Sequence, residues 1–214
     1  MTTSLHNKQL AAMLQMQDNI NQRIHSAWRD QQHPWYRAIW VECAELMDHQ
    51  GWKWWKKQTP NMEQIQLELV DIWHFGLSDL LQRDPLITEK EKLDALSLTP
   101  NSPHSYSDFL TGIEHFANLT LQTKQFSAPH FFGLCQQTNL TFEALYQLYI
   151  SKNVLNLFRQ DHGYQSGEYQ KNWSGKEDNE HLSEIVALHQ NTEGDWQKII
   201  YAELQTRYET QCSA

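Results

Sequence analysis

Two acidic patterns in the sequence have the residue types and spacing to do chemistry. Ile39-x-x-Glu42-x-x-Glu45-Leu46 is echoed by Ile65-x-x-Glu68-x-x-Asp71-Ile72. On a helix turning about 100° per residue, with the first acid at zero, the flanking aliphatics fall near +60° and +40° and the second acid near −60°. Both pairs are therefore expected to border an apolar stripe, with Asp48 outside the cluster. If the two helices form an antiparallel hairpin about residues 51–59, Glu42, Glu45, Glu68 and Asp71 lie at similar heights and four carboxylates converge. Like charges a few ångströms apart raise one another's pKa. A hard divalent cation resolves the conflict, and an all-oxygen donor set favours Mg²⁺, Mn²⁺ or Ca²⁺ over zinc. The plain alternative is a solvated helix edge; two acid pairs in register beside a core stripe argue against it. A di-iron carboxylate bundle is the competing metal site, but it needs Glu-x-x-His on two helices. Asp71-x-x-His74 imitates one such pair, whereas Glu45 is followed three residues on by Asp48.

A second constellation lies between Lys152 and Asn179. Lys152, Arg159, Lys171 and Lys176 balance Asp161, Glu168, Glu177 and Asp178 in a glycine-bearing stretch that also holds Tyr164, Tyr169 and Trp173. It reads as a surface loop or as an anion-handling loop, since Arg and Lys beside aromatic rings suit phosphate or carboxylate.

The elements that must position these residues are helical. The 214-residue chain is long enough to bury a sizeable core, and its 8 glycines and 6 prolines are few. Apolar positions Leu10, Met13, Leu14, Ile20 and Ile24 recur at three and four, predicting a helix from about Leu5 to Trp28 that His33-Pro34 breaks. A second helix is expected from Trp35 to about Asp48. A third starts at Thr59-Pro60, with Thr59 as N-cap, and runs to about Arg83. Residues 87–97, 105–126, 129–138, 141–158, 181–190 and 195–211 read as further helices, and no strand is expected. The fold class is all-α, a single unit over residues 1–214 with a helical core and a C-terminal motif-bearing region.

Charge narrows the partners. Seventeen Lys and Arg against 26 Asp and Glu leave a net charge of −9, which argues against nucleic acid or an anionic membrane as a partner. Cys43, Cys135 and Cys212 are widely spaced and imply no disulfide framework, so a cytoplasmic location is the simplest expectation. No apolar stretch approaches a spanning helix, and His6, Lys8 and Gln9 stand where a signal peptide would be apolar.

The strings VECAELMDHQGWKWWK, from Val41, and IQLELVDIWHF, from Ile65, resemble the two metal-site helices of the dimeric all-α dUTPases. YISKNVLNLFRQDHGYQSGEYQKNWSGKEDNE, from Tyr149, resembles that family's C-terminal motif, and MLQMQDNIN matches more loosely near the N-terminus. Related all-α pyrophosphatases of the MazG kind share the paired acidic helices and lack the C-terminal motif.

The resemblance implies a homodimer that hydrolyses dUTP to dUMP and pyrophosphate, with dUDP open as a second substrate. It implies two or three Mg²⁺ ions per site, replaceable by Mn²⁺, on Glu42, Glu45, Glu68 and Asp71. Glu45, with Glu42 beside it, is the expected carboxylate for activating water. Lys152, Asn156, Arg159, Tyr164 and Lys171 match the phosphate-handling positions, with Asn179 as a further candidate. Gln17 and Asn21 match the polar pair assigned to uracil, although alone two such amides would face solvent. Trp52 and His74 match positions near base and sugar, while Trp54 and Trp55 read as core or dimer contacts. A broader dUTP/dCTP or house-cleaning dNTP pyrophosphatase is the enzymatic alternative. A non-catalytic metal-binding bundle is the other, and it leaves Lys152, Arg159 and Lys171 without a role.

Overall fold

The computed structural model describes residues 2–97, 106–189 and 194–212. Among them the chain forms nine α-helices: α1 (Thr2–Ile24), α2 (Trp35–Gln50), α3 (Met62–Arg83), α4 (Lys90–Ser97), α5 (Phe109–Thr123), α6 (Ala128–Gln137), α7 (Phe142–Asp161), α8 (Asp178–His189) and α9 (Trp196–Cys212). The all-α expectation holds. Parts of the expected helices 105–126 and 181–190 lie outside the described residues, as does the side chain of Cys212. None of the described helices is long and apolar enough to cross a membrane.

The chain divides into two compact units, residues 1–146 and 147–214. In the first, α2 and α3 make the most extensive helix pair, with α2 also against α5, and α1 against α3 and α4. The pair is antiparallel. At one end the Asn61 amide donates to the His49 carbonyl at 2.9 Å, and at the other Trp35 Nε1 donates to Gln82 Oε1 at 3.0 Å. Trp73, on α3, sits at the centre of an aromatic cluster, with the rings of Phe131, Phe132 and Phe126 at 5.2, 5.4 and 5.7 Å.

Three helix ends differ from expectation. The cap of α3 is Asn61 and not Thr59; its side chain accepts from the Gln64 amide at 3.3 Å, an arrangement that leaves Pro60 before the helix. The first helix stops at Ile24, and residues 26–32 continue as turns, with Gln32 in the left-handed region at φ 49°. The helix expected at 181–190 begins at Asp178, whose own carboxylate stands in its first turn.

In the second unit, Phe158 is fully buried among the rings of His162, Tyr169, Trp173, Tyr201 and Tyr208. Contrary to the expectation of no strand, a two-residue hairpin pairs β1 (Asn172–Trp173) with β2 (Lys176–Glu177). Ser174 and Gly175 join them with φ of 48° and 79°, the double left-handed geometry of a tight hairpin turn. Trp173 is the anchor: it is 1% exposed, its indole N–H donates to the Gln170 carbonyl, and His181 stacks on it at 4.9 Å.

Candidate active site

The α2–α3 hairpin places Glu42, Glu68 and Asp71 so that one carboxylate oxygen from each lies within 4.8 Å of the others. Glu68 is 3% exposed and the other two are half-buried. Burial, with the charges of Asp71, Glu68 and Glu45, pushes the Glu42 carboxyl up to about 9, and Glu42 hydrogen-bonds Glu68. Three acids this close cannot all ionise together, so the cluster as a group retains a proton more readily than separate carboxylates would. The donor set is all oxygen, partly desolvated and short of positive charge, and it fits a hard divalent cation.

Glu45 departs from the expected foursome. It is exposed, and the clustered set among the described residues comprises only the other three. The buried residues of α2 are Ile39, Cys43 and Leu46, and their stripe centres near +70° from Glu42, so Glu45 stands about 130° from it. Glu45 remains near enough for its charge to raise Glu42. On α3 the same spacing gives a different result, because this helix packs against α1, α2 and α6 and is buried on most sides, which draws Asp71 inward too. Asp48 is exposed and pairs with Lys53 at 3.0 Å. His49 was not singled out by the sequence; its Nε2 lies 3.4 Å from Glu68 Oε1, at the rim of the acids.

Further along α3 the polar strip continues through His74 and Ser78 to meet α1. Gln17 and Asn21, expected to face solvent on composition alone, are 5% and 4% exposed. Gln17 Nε2 donates to Asn21 Oδ1 at 3.2 Å and to Ser78 Oγ at 2.9 Å. Asn21 Nδ2 also donates to Ser78 Oγ, at 2.9 Å, and Ser78 donates to the His74 carbonyl at 3.1 Å. His74 Nδ1 meets Gln17 Oε1 at 2.8 Å; an amide oxygen only accepts, so this nitrogen carries the proton. Buried polar groups need such partners, which is what makes the strip tolerable in a core. Ser78 was also missed, and its only sequence signal is its place seven residues after Asp71 on one face.

Trp52 is 41% exposed and donates from Nε1 to Asp48 at 3.0 Å. Trp54 and Trp55 are 90% and 58% exposed, so the core reading for them fails. Their loop, closed by the Lys53 amide on Gln58, packs its indoles edge to face and not into the interior.

The second unit gathers most of the expected phosphate residues. Lys152 is 1% exposed and not a solvated helix-end lysine, and its Nζ donates to Asn179 Oδ1 at 2.8 Å. Arg159 donates from Nε and Nη2 to the two oxygens of Asp178, both at 2.8 Å, and from Nη1 to Asn156 Oδ1 at 3.1 Å. Burial alone would raise Asp178, yet the hydrogen bonds and charge of Arg159, with the hydroxyl of Tyr169, hold its carboxyl below the usual range. Tyr164 is half exposed, with the Arg159 guanidinium 5.8 Å from its ring centre. The Lys171 side chain is exposed and paired with Glu177 at 2.8 Å, while its carbonyl accepts from the Asp178 amide at 2.9 Å. Asp178, which organises the cluster, was read from sequence only as charge balance.

The family model for dUTPase matches residues 9–164, most of the chain. The chain belongs to the dUTPase family. No curated protein matches it. The matched span includes Gln17 and Asn21, the acids of α2 and α3, Trp52, His74, and Lys152 through Tyr164; Lys171 and Asn179 lie beyond it. Membership makes the protein a dUTP diphosphatase on an all-α scaffold. For a dUTPase, a divalent-metal requirement agrees with the acid cluster of the hairpin.

Proposed function

We propose that this dUTPase converts dUTP to dUMP and pyrophosphate with Mg²⁺, two or three ions per site and Mn²⁺ able to substitute, and that it acts as a homodimer. The convergence of Glu42, Glu68 and Asp71 within 4.8 Å carries the reading. Bound Mg²⁺ would neutralise triphosphate oxygens and acidify water at the site. Glu42, Glu68 and Asp71 hold the metal, with Glu45 as an outer ligand. Glu45 also serves as the base toward water, because it is the solvent-exposed member of the group.

The spacing along α3 supports the same orientation of substrate. From Asp71 to Ser78 is about 10 Å at 1.5 Å per residue, a span suited to a nucleotide with phosphates at the acids and its base at Gln17 and Asn21. Trp52 and His74 border base and sugar in this reading. Lys152, Asn156, Arg159 and Asn179 take phosphate oxygens, helped by Tyr164 and Lys171; a forked Arg and a buried Lys suit that task.

Calorimetric titration with Mg²⁺ and Mn²⁺ tests the metal assignment. Glu68→Gln and Asp71→Asn should each lose metal affinity by tenfold or more, as loss of a charged ligand does, with the helical circular dichroism retained. Unchanged affinity in both would remove the metal from this site.

A further inference from the structure

Ser78 is 0% exposed, and every hydrogen-bonding capacity of its hydroxyl is used. Its one hydrogen goes to the His74 carbonyl, and its two lone pairs accept from Gln17 Nε2 and Asn21 Nδ2. The hydroxyl therefore meets Asn21 only as an acceptor. On the other side, Asn21 Oδ1 accepts from Gln17 Nε2, whose two N–H groups are both engaged by Asn21 and Ser78.

These bonds fix which way the Asn21 amide points. Rotated by half a turn, its oxygen would oppose a Ser78 oxygen whose hydrogen is committed elsewhere, and its nitrogen would oppose the Gln17 nitrogen. Both clashes leave buried groups unsatisfied. Beyond its two bonds to Gln17 and Ser78, the Asn21 amide has a second N–H and a further lone pair, one donor and one acceptor of fixed order. Uracil presents O4 as acceptor and N3–H as donor; cytosine presents the reverse pair at the same edge. Reversing the amide would reverse the base it suits.

We propose that Ser78 is a specificity-determining positioning residue: by locking the amide of Asn21, it sets the preference for a uracil over a cytosine edge. This rests on the reading of Gln17 and Asn21 as the base-binding pair. Ser78 itself is placed behind the amides and need not touch the nucleotide.

The test is kcat/KM for dUTP and for dCTP in the full chain, comparing the wild type with Ser78→Ala, Ser78→Cys and Asn21→Ala. In Ser78→Ala the dUTP to dCTP ratio should fall by about tenfold or more, because a site built around hydrogen-bond partners loses discrimination when they are freed. The change should appear in KM more than in kcat, and Ser78→Cys, similar in volume with a weak donor and acceptor, should follow it. Lost stability alone would lower both substrates together and leave the ratio intact. A wild-type ratio in a folded Ser78→Ala or Ser78→Cys enzyme overturns the proposal while the base-binding reading stands. A wild type that does not discriminate, or an Asn21→Ala enzyme with an unchanged ratio, overturns that reading and the proposal with it.

Discussion

Arg159 donates to both carboxylate oxygens of Asp178, each at 2.8 Å, and the Asp178 side chain is completely buried. Because Arg159 is itself mostly buried, removing the acid strands a desolvated cation. Asp178→Ala is expected to cost about 3–5 kcal/mol of stability. Asp178→Asn, which keeps the shape and some hydrogen bonds, should cost less. Since the carboxyl lies below its usual range in the folded chain, its contribution is present above the ordinary Asp pKa and lost as pH falls through the folded value. Chemical denaturation at neutral and acid pH measures this: the wild type should lose stability on acidification, and Asp178→Asn should lose less. Equal stability of Asp178→Ala and wild type at neutral pH would contradict it.

Glu42 predicts the opposite slope. Its carboxyl is raised from 4.5 to about 9, so over that interval the unfolded chain ionises while the folded one keeps the proton. Stability is full below the unfolded value and declines as pH rises through the folded one. In EDTA, the melting temperature should fall from pH 6 to pH 9, Mg²⁺ should flatten the fall by occupying the ionised site, and Glu42→Gln should flatten it without metal. A slope unchanged in Glu42→Gln would place the titration elsewhere.

Gly76 tests the packing behind the site. A Cβ added there would lie 2.7–2.9 Å from three ring atoms of Phe126, a residue wedged against Trp73, Phe116 and Phe131. Alanine favours the helix by up to about 1 kcal/mol. Overpacking at this ring costs about 1–3 kcal/mol, so Gly76→Ala should be net destabilising in urea unfolding. A stabilised variant would show that the ring moves aside freely.

The hairpin and three of its acids were legible because a helix repeats in a fixed angle, and Glu42, Glu68 and Asp71 need only that angle and a short connection to meet. The exposed placement of Glu45 departs from the expected foursome for a reason internal to the same arithmetic: flanking aliphatics locate a stripe, but its centre depends on which neighbour the helix packs against, and the buried Cys43 shifts it away from Glu45. The burial of Lys152 and of Gln17 and Asn21 depends on partners 27, 61 and 57 residues distant, Asn179 and Ser78. No local pattern encodes such pairings; Lys152 stood out by charge in its stretch, and only the resemblance pointed to Gln17 and Asn21. Asn61 and not Thr59 caps α3, and its amide also donates to the His49 carbonyl, a partner from the preceding helix that no local pattern encodes.

The most direct measurement is pyrophosphate release from dUTP, dCTP, dTTP and dATP in parallel, each with Mg²⁺ and with EDTA. The account predicts release from dUTP alone, abolished by EDTA. Comparable release from several nucleotides would move the chain to a broader pyrophosphatase activity, and release that persists in EDTA, or none from dUTP, would contradict the metal-dependent dUTP site built on Glu42, Glu68 and Asp71.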